Sequence, residues 1–156
     1  MSTGMSRKNR SSRGATMVEF VLTILVVLFV FFLLIECCLW IYCYNVMADA
    51  AKAGVRYAIV HGSGVSSGSQ SGPTSGTAEY CSDSDSSVQP VIDEVKKWAS
   101  FSAYDTTGMT VNVCYLDGNN EAPNRVRVTV LNPVVPIFSF WGTAPVKAAA
   151  QGRIVN

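Results

Sequence analysis

The sequence predicts an α+β protein: a long N-terminal membrane-spanning helix extended into a stalk, with a small C-terminal head of one helix on an antiparallel sheet of about three strands. Three observations predict it. The 25 residues from Phe20 to Tyr44 are apolar apart from Thr23, Glu36 and aromatic hydroxyls. Helical spacing then continues without a proline as far as Ala58. Beyond a Gly/Ser-rich stretch, two segments alternate apolar and polar residues, the period of a half-buried strand. These features divide the chain into a basic leader (1–14), the membrane and stalk helix (15–60), a Gly/Ser-rich loop (61–86) and the head (87–156).

The leader sets topology. Arg7, Lys8, Arg10 and Arg13 precede the apolar run, and none of the first fourteen residues is acidic. Positive charge stays on the cytoplasmic side, so the N-terminus is expected inside and everything after about Tyr44 outside. The 156 residues carry 12 Lys/Arg and 11 Asp/Glu. Without the four leader cations the balance is 8 against 11, so the exported part is mildly acidic and gives no support to nucleic-acid binding.

The run itself is long enough to span. A helix rises ~1.5 Å per residue, so roughly 20 residues cross the hydrocarbon core. Glu36 follows Glu19 by 17 residues, roughly 25 Å along a helix, which places it near the outer interface. Two readings stand for it: a headgroup-level carboxylate, or a polar contact to a partner helix. In YNVMADAAKAGVRYAIV, Ala48, Ala51, Val55 and Ala58/Ile59 form one stripe, while Asp49, Lys52 and Arg56 take another face.

The loop after His61 is dominated by Gly and Ser and is too poor in apolar surface to fold alone. SVQPVIDEVKKWASFSAYD then predicts a second helix, with Ser87 as N-cap, Pro90 in the first turn, and Val88, Val91, Val95 and Trp98 on the buried face. The strands follow. Val111, Val113 and Tyr115 alternate with Thr110, Asn112 and Cys114; Val126, Val128 and Val130 alternate with Arg125, Arg127 and Thr129. Pro133 and Pro136 are expected to end the second strand. Ile137, Phe138, Phe140 and Trp141 form an apolar cluster, expected to pack on the long helix or the membrane surface, and PVKAAAQGRIVN predicts a last strand.

Chemistry is sparse. Cys37, Cys38 and Cys43 lie in or at the edge of the apolar run, as small packing residues. Cys81 and Cys114 fall in the exported part, where thiols oxidise, and a Cys81–Cys114 disulfide is expected. There is no CxxC pair, and His61 is the single histidine, so no metal site or cofactor is expected. That histidine sits at the mouth of a Gly/Ser loop, without a nucleophile elbow, so no catalytic residue is assigned. Asp83, Asp85, Asp93 and Glu94 lack calcium-loop spacing and are read as surface charge.

One constellation is informative. Gly14 is followed by Ala-Thr-Met-Val-Glu-Phe, so Glu19 and Phe20 are the fifth and sixth residues after the glycine. A short basic leader, a glycine and an apolar helix with Glu at its fifth position resembles the class III signal of type IV prepilins. The Glu-aromatic pair matches the Flp (Tad) branch. With AA-x-x-G-x-RYA, the VRVTV strand and the proline-rich apolar segment after it, the chain is similar to the TadE-like family of Tad pilus assembly proteins. That likeness covers about residues 11–60 and 125–156. It implies cleavage by a membrane prepilin peptidase between Gly14 and Ala15, and retention of the helix in the bacterial inner membrane with the head periplasmic. Other Tad assembly proteins and pilins are the implied partners, a TadF-like pseudopilin among them, and the role is non-enzymatic. A carboxylate at the bilayer centre costs ~2.5–3.5 kcal/mol, less near the interface; the new α-amino group could pair with Glu19. The competing expectation is a single-pass anchored or secreted binding module without such processing.

Overall fold

The structure, a computed structural model, describes residues 11–66, 68–136, 142 and 144–155. Arg7, Lys8 and Arg10 lie outside the described residues, as do Ile137, Phe138, Phe140 and Trp141. The order of elements is α1 (Ser11–Val60), β1 (Tyr80–Ser82), α2 (Gln89–Ala99), β2 (Thr110–Tyr115), β3 (Arg125–Val134) and β4 (Ala144–Arg153). The architecture is α+β, as the sequence predicts. The chain forms two compact units, Met1–Cys38 and Leu39–Asn156, so α1 contributes residues to both.

In the second unit, all four strands are antiparallel neighbours in chain order, β1-β2-β3-β4. Burial along β2 and β3 alternates strictly; the inward residues are the expected valines and Tyr115, joined toward the end of β3 by Asn132 and Val134. Register pairs them directly, Val111 with Val130, Val113 with Val128 and Tyr115 with Val126. Each such valine contributes about 1.5 kcal/mol or more when removed from water. Over this face lie α1 and α2. From α1, Cys43, Met47, Ala50, Ala51, Gly54, Val55 and Ala58 are buried, steps of three and four residues that make one helical stripe. Asp49, Lys52 and Arg56 are exposed, as expected.

Small residues make this packing possible. A Cβ on Gly54 would lie 2.4 Å from Val95 Cγ2, and one on Gly152 would lie 2.5 Å from Ile59 Cδ1 and 2.8 Å from Val55 Cγ1. The α1 backbone therefore approaches α2 at Gly54, and β4 approaches α1 at Gly152, with no room for a side chain. This explains the small inward residues of β4, Ala148, Ala150 and Gly152.

Four expectations need correction. The sheet has four strands where about three were expected, because β1 lies within the stretch read as loop. Three residues are too few to show a period, and β1 is specified by a distant partner: Cys81 opposes Cys114 in register and is disulfide-bonded to it. The N-cap of α2 is Val88, with no side-chain cap, and its side chain is buried instead. Trp98 is not in the buried face but 46% exposed; Ile92 and Ala99 complete the stripe. Pro133 does not end β3. Pairing with β2 stops at Leu131, so the missing N–H falls where β2 offers no acceptor, and Pro133 sits opposite Pro145 on the edge strand.

The Gly/Ser-rich stretch is tied to the surrounding connections by backbone hydrogen bonds. Ser71 N–H donates to His61 O (2.8 Å), Gly72 N–H to Ser87 O (2.8 Å), and Asn120 N–H to Pro73 O (2.8 Å). Gly72 has φ +90, and its Cα lies against the ring of Tyr115, where a Cβ would come within 2.2 Å. Only glycine satisfies both demands.

Two outcomes test this packing. Gly54→Leu replaces the poorest helix former but proline with a good one, a gain of about 0.8 kcal/mol in propensity. The clash with Val95 is expected to outweigh it and lower unfolding free energy by about 1–3 kcal/mol, read by denaturant unfolding of the full chain in detergent. The disulfide closes a separation of 33 residues. Replacing both cysteines by serine should cost about 2–4 kcal/mol in the same assay and abolish the mobility shift on reduction.

Candidate functional site

The sequence-predicted site lies at the start of α1, in the first unit. α1 begins at Ser11, so Gly14, Ala15, Glu19 and Phe20 are all within continuous helix, and all four are exposed. The glycine has no packing role here: a Cβ built on it would meet nothing within 4 Å, and its φ is not positive. Gly14 is the fourth residue of α1, and among the described residues no contact there calls for a glycine.

Glu19 stands four residues after Ala15, so the two share one helix face a turn apart. Its backbone carbonyl accepts a hydrogen bond from Thr23 Oγ1 at 2.8 Å. That bond satisfies the single hydroxyl in the stretch between Phe20 and Ile35. Among the described residues the ion pairs are Asp49–Lys52, Glu94–Lys97 and Asp117–Arg125, and Glu19 belongs to none of them. Around it, Met17, Val18, Phe20, Val21 and Leu22 are 58–72% exposed. Nothing in the most apolar 18-residue window of α1 is buried, and by length and composition α1 can cross a membrane. Glu36 is half-buried, and Cys37 and Cys38 are exposed free thiols.

AA-x-x-G-x-RYA lies in the second unit and serves the head. Ala50, Ala51, Gly54 and Ala58 give the close approach described above. Tyr57 stacks on His61, with ring centroids 3.9 Å apart and planes 12° from parallel, and His61 Nδ1 lies 2.8 Å from Tyr57 O. The lone histidine is thus a cap on the end of α1. Sequence periodicity identified Ala51, Val55 and Ala58 but missed Cys43, Met47 and Gly54. The signal for Gly54 was the glycine itself, a poor helix former kept in mid-helix.

The outer face of the sheet is polar. Cys81 and Cys114 lie there with Glu79 close enough for the three to resemble a metal-ligand set. Both sulfurs are spent on the disulfide, which leaves one carboxylate and no site. Thr110, Asn112, Thr129, Leu131 and Lys147 line a shallow open depression on this face. Asp117 accepts from Arg125 through both oxygens, from Nη2 at 2.7 Å and Nε at 3.1 Å, and also accepts its backbone N–H at 2.8 Å. This fork holds the Asp117 carboxyl down at about 2. Tyr80 donates to Asp85, which lowers the Asp85 carboxyl below its usual range and raises the Tyr80 hydroxyl. Burial raises the Tyr115 hydroxyl, which donates to Ser71 Oγ at 3.4 Å. None of these groups forms a nucleophile–base pair.

Residues 14–56 match the family model described as TadE-like protein. This is the family the sequence resembles, and the match takes in Gly14, Ala15, Glu19, Phe20 and the AA-x-x-G segment. Residues 125–156, where the likeness was also read, lie outside it. No curated protein and no solved structure matches the chain.

The Asp117–Arg125 fork generates a pH prediction. Its carboxyl is depressed on folding, so its contribution to stability is present above the unfolded value near 3.9 and is lost as pH falls toward about 2. Asp117→Asn should flatten the acid limb of a stability–pH curve between about pH 4 and 2. An unchanged acid limb would show that the fork has no differential effect.

Proposed function

We propose that the protein is a non-enzymatic minor pilin or pseudopilin of a Tad-type (Flp, type IVc) pilus. A prepilin peptidase cuts it between Gly14 and Ala15, and it acts by helix packing in the assembly machinery. The observation that carries this reading is Gly14. It stands exposed in the first turn of α1, where no packing contact or positive φ among the described residues calls for glycine, which fits a residue chosen by another protein's active site. The TadE-like match beginning at that residue supports the same reading, and involvement in Tad pilus assembly is what the family suggests.

Cleavage would change the surroundings of Glu19. Before it, Glu19 lies in the third turn of α1. After it, Glu19 is the fifth residue of a helix that starts at Ala15, close to four freed backbone N–H groups and the positive end of the helix dipole. The new α-amino group, with a reference pKa of about 8, is cationic at neutral pH. It lies one turn away in the same chain, and an equivalent group would be presented by a neighbouring subunit. Such pairing sets register between helices more than it adds net stability.

Topology in this reading has the basic leader with Arg7, Lys8, Arg10 and Arg13 in the cytoplasm. α1 is in the bacterial inner membrane and the head is periplasmic, where the Cys81–Cys114 disulfide is at home. Its partners are the peptidase, pilins and other Tad assembly proteins, a TadF-like pseudopilin among them. Glu36 is the second candidate helix contact. Action is by assembly and not by turnover.

N-terminal sequencing or intact mass of the membrane-extracted protein should find Ala15 at the start. Gly14→Val should leave the leader attached. A mature start at Met1 or Ser2 in a strain with active peptidase would identify a plain anchored domain. A start near Ala51 would identify a secreted module. Glu19→Gln should preserve insertion and cleavage while reducing co-purification with the assembly complex; equal recovery would remove Glu19 from that role.

A further inference from the structure

We propose that the C-terminal turn of α2 is a second membrane contact, with Trp98 and Phe101 seated in the interfacial zone of the bilayer that α1 crosses and Lys96 and Lys97 meeting lipid phosphates. The proposal rests on α1 as a membrane span and is independent of processing at Gly14.

Trp98 is 46% and Phe101 65% exposed, although both are large apolar side chains on a unit with a well-filled core. Their ring centroids are 6.4 Å apart, so they form one patch. The indole N–H is directed to Glu94 Oε1 at 2.8 Å, and Lys97 lies 3.6 Å from the same carboxylate. Glu94 thus has the indole and Lys97 as partners, and Lys96 and Lys97 are both exposed in the last turn. An apolar pair with a satisfied indole and flanking lysines has the composition of an interfacial anchor.

Two contacts fix where this patch lies along α1. The Tyr42 hydroxyl donates to Phe101 O at 3.0 Å, and the Ser102 hydroxyl donates to Cys43 Sγ at 3.4 Å. The residues on either side of that docking point are themselves a belt: Trp40, Tyr42 and Tyr44 are 42–48% exposed. They form the C-terminal end of the apolar run. Counting roughly 20 residues from Phe20 for the hydrocarbon core ends the span near residue 40, so the belt falls at headgroup level. Phe101, bonded to Tyr42, falls at the same level. A soluble partner would have to bind this patch inside the headgroup layer, whereas the lipid is already there. Trp and Tyr are enriched at that depth because the ring is apolar and the N–H or O–H stays wet.

The test uses the full chain reconstituted into bilayers of mixed zwitterionic and anionic phospholipids. Trp40→Phe and Trp141→Phe together leave Trp98 as the single tryptophan of the three. Lipids brominated at shallow acyl positions should quench its emission more than deep-brominated lipids, matching insertion of about 5–10 Å, and aqueous iodide should have little effect. A second reporter in the same background, Trp98→Phe with Phe101→Trp, should behave alike. Quenching by iodide and not by bromolipid would place the patch in water and overturn the proposal. Quenching by neither would place it under protein and overturn it equally.

Discussion

At Gly54 the backbone of α1 comes so near α2 that a single added carbon would lie 2.4 Å from Val95, and the rest of the head is arranged around that approach. Val95 belongs to the same buried stripe as Val91, Ile92 and Ala99, so fixing it fixes the face α2 turns inward. Val128, at the middle of β3, is the next neighbour of the same position. One glycine therefore brings a helix, a second helix and the sheet to one point. On the other side, Gly152 lets β4 close against Val55 and Ile59. The head is built on the last turns of α1 rather than attached after them, which is why α1 stays helical as far as Val60. A larger residue at either glycine would displace layers, because close-packed interiors transmit such changes.

What was legible in the sequence follows from what is periodic. β2 and β3 were readable residue by residue because one face is buried and the other is wet, so apolar and polar side chains must alternate. The stripe of α1 was readable for the same reason at a different period. Trp98 was misplaced because a tryptophan three residues after Val95 has core spacing, and spacing does not distinguish a protein interior from another apolar medium. β1 was invisible since three residues carry no period; its position is set by Cys114 across the sheet. The loop from His61 onward looked unordered because its apolar content is low. Its order comes from backbone bonds to Asn120 and Ser87 and from the seat of Gly72 on Tyr115, pairings between distant positions that composition cannot express.

The polar groups of α1's apolar stretch differ in a way that separates structure from function. Thr23 carries a hydroxyl, which has a proton to give, and the helix supplies an acceptor in the Glu19 carbonyl at 2.8 Å. Its polarity is settled locally, and threonine there is compatible with lipid on all sides. Glu19 carries a carboxylate, which has no proton to give when ionised and must be met by donors. An α-helix interior has none to spare, because every backbone N–H already serves the carbonyl four residues back. The requirement can be met by protonation, by an end to the helix nearby, or by another molecule. The first leaves a costly group without a use. In the proposed reading the second and third would coincide: a cut after Gly14 would create free N–H groups and an amine within one turn, on this chain and on any neighbour treated alike. The chemistry of a carboxylate among apolar residues thus directs attention to the glycine five positions earlier, in the first turn of α1, which no packing contact among the described residues explains.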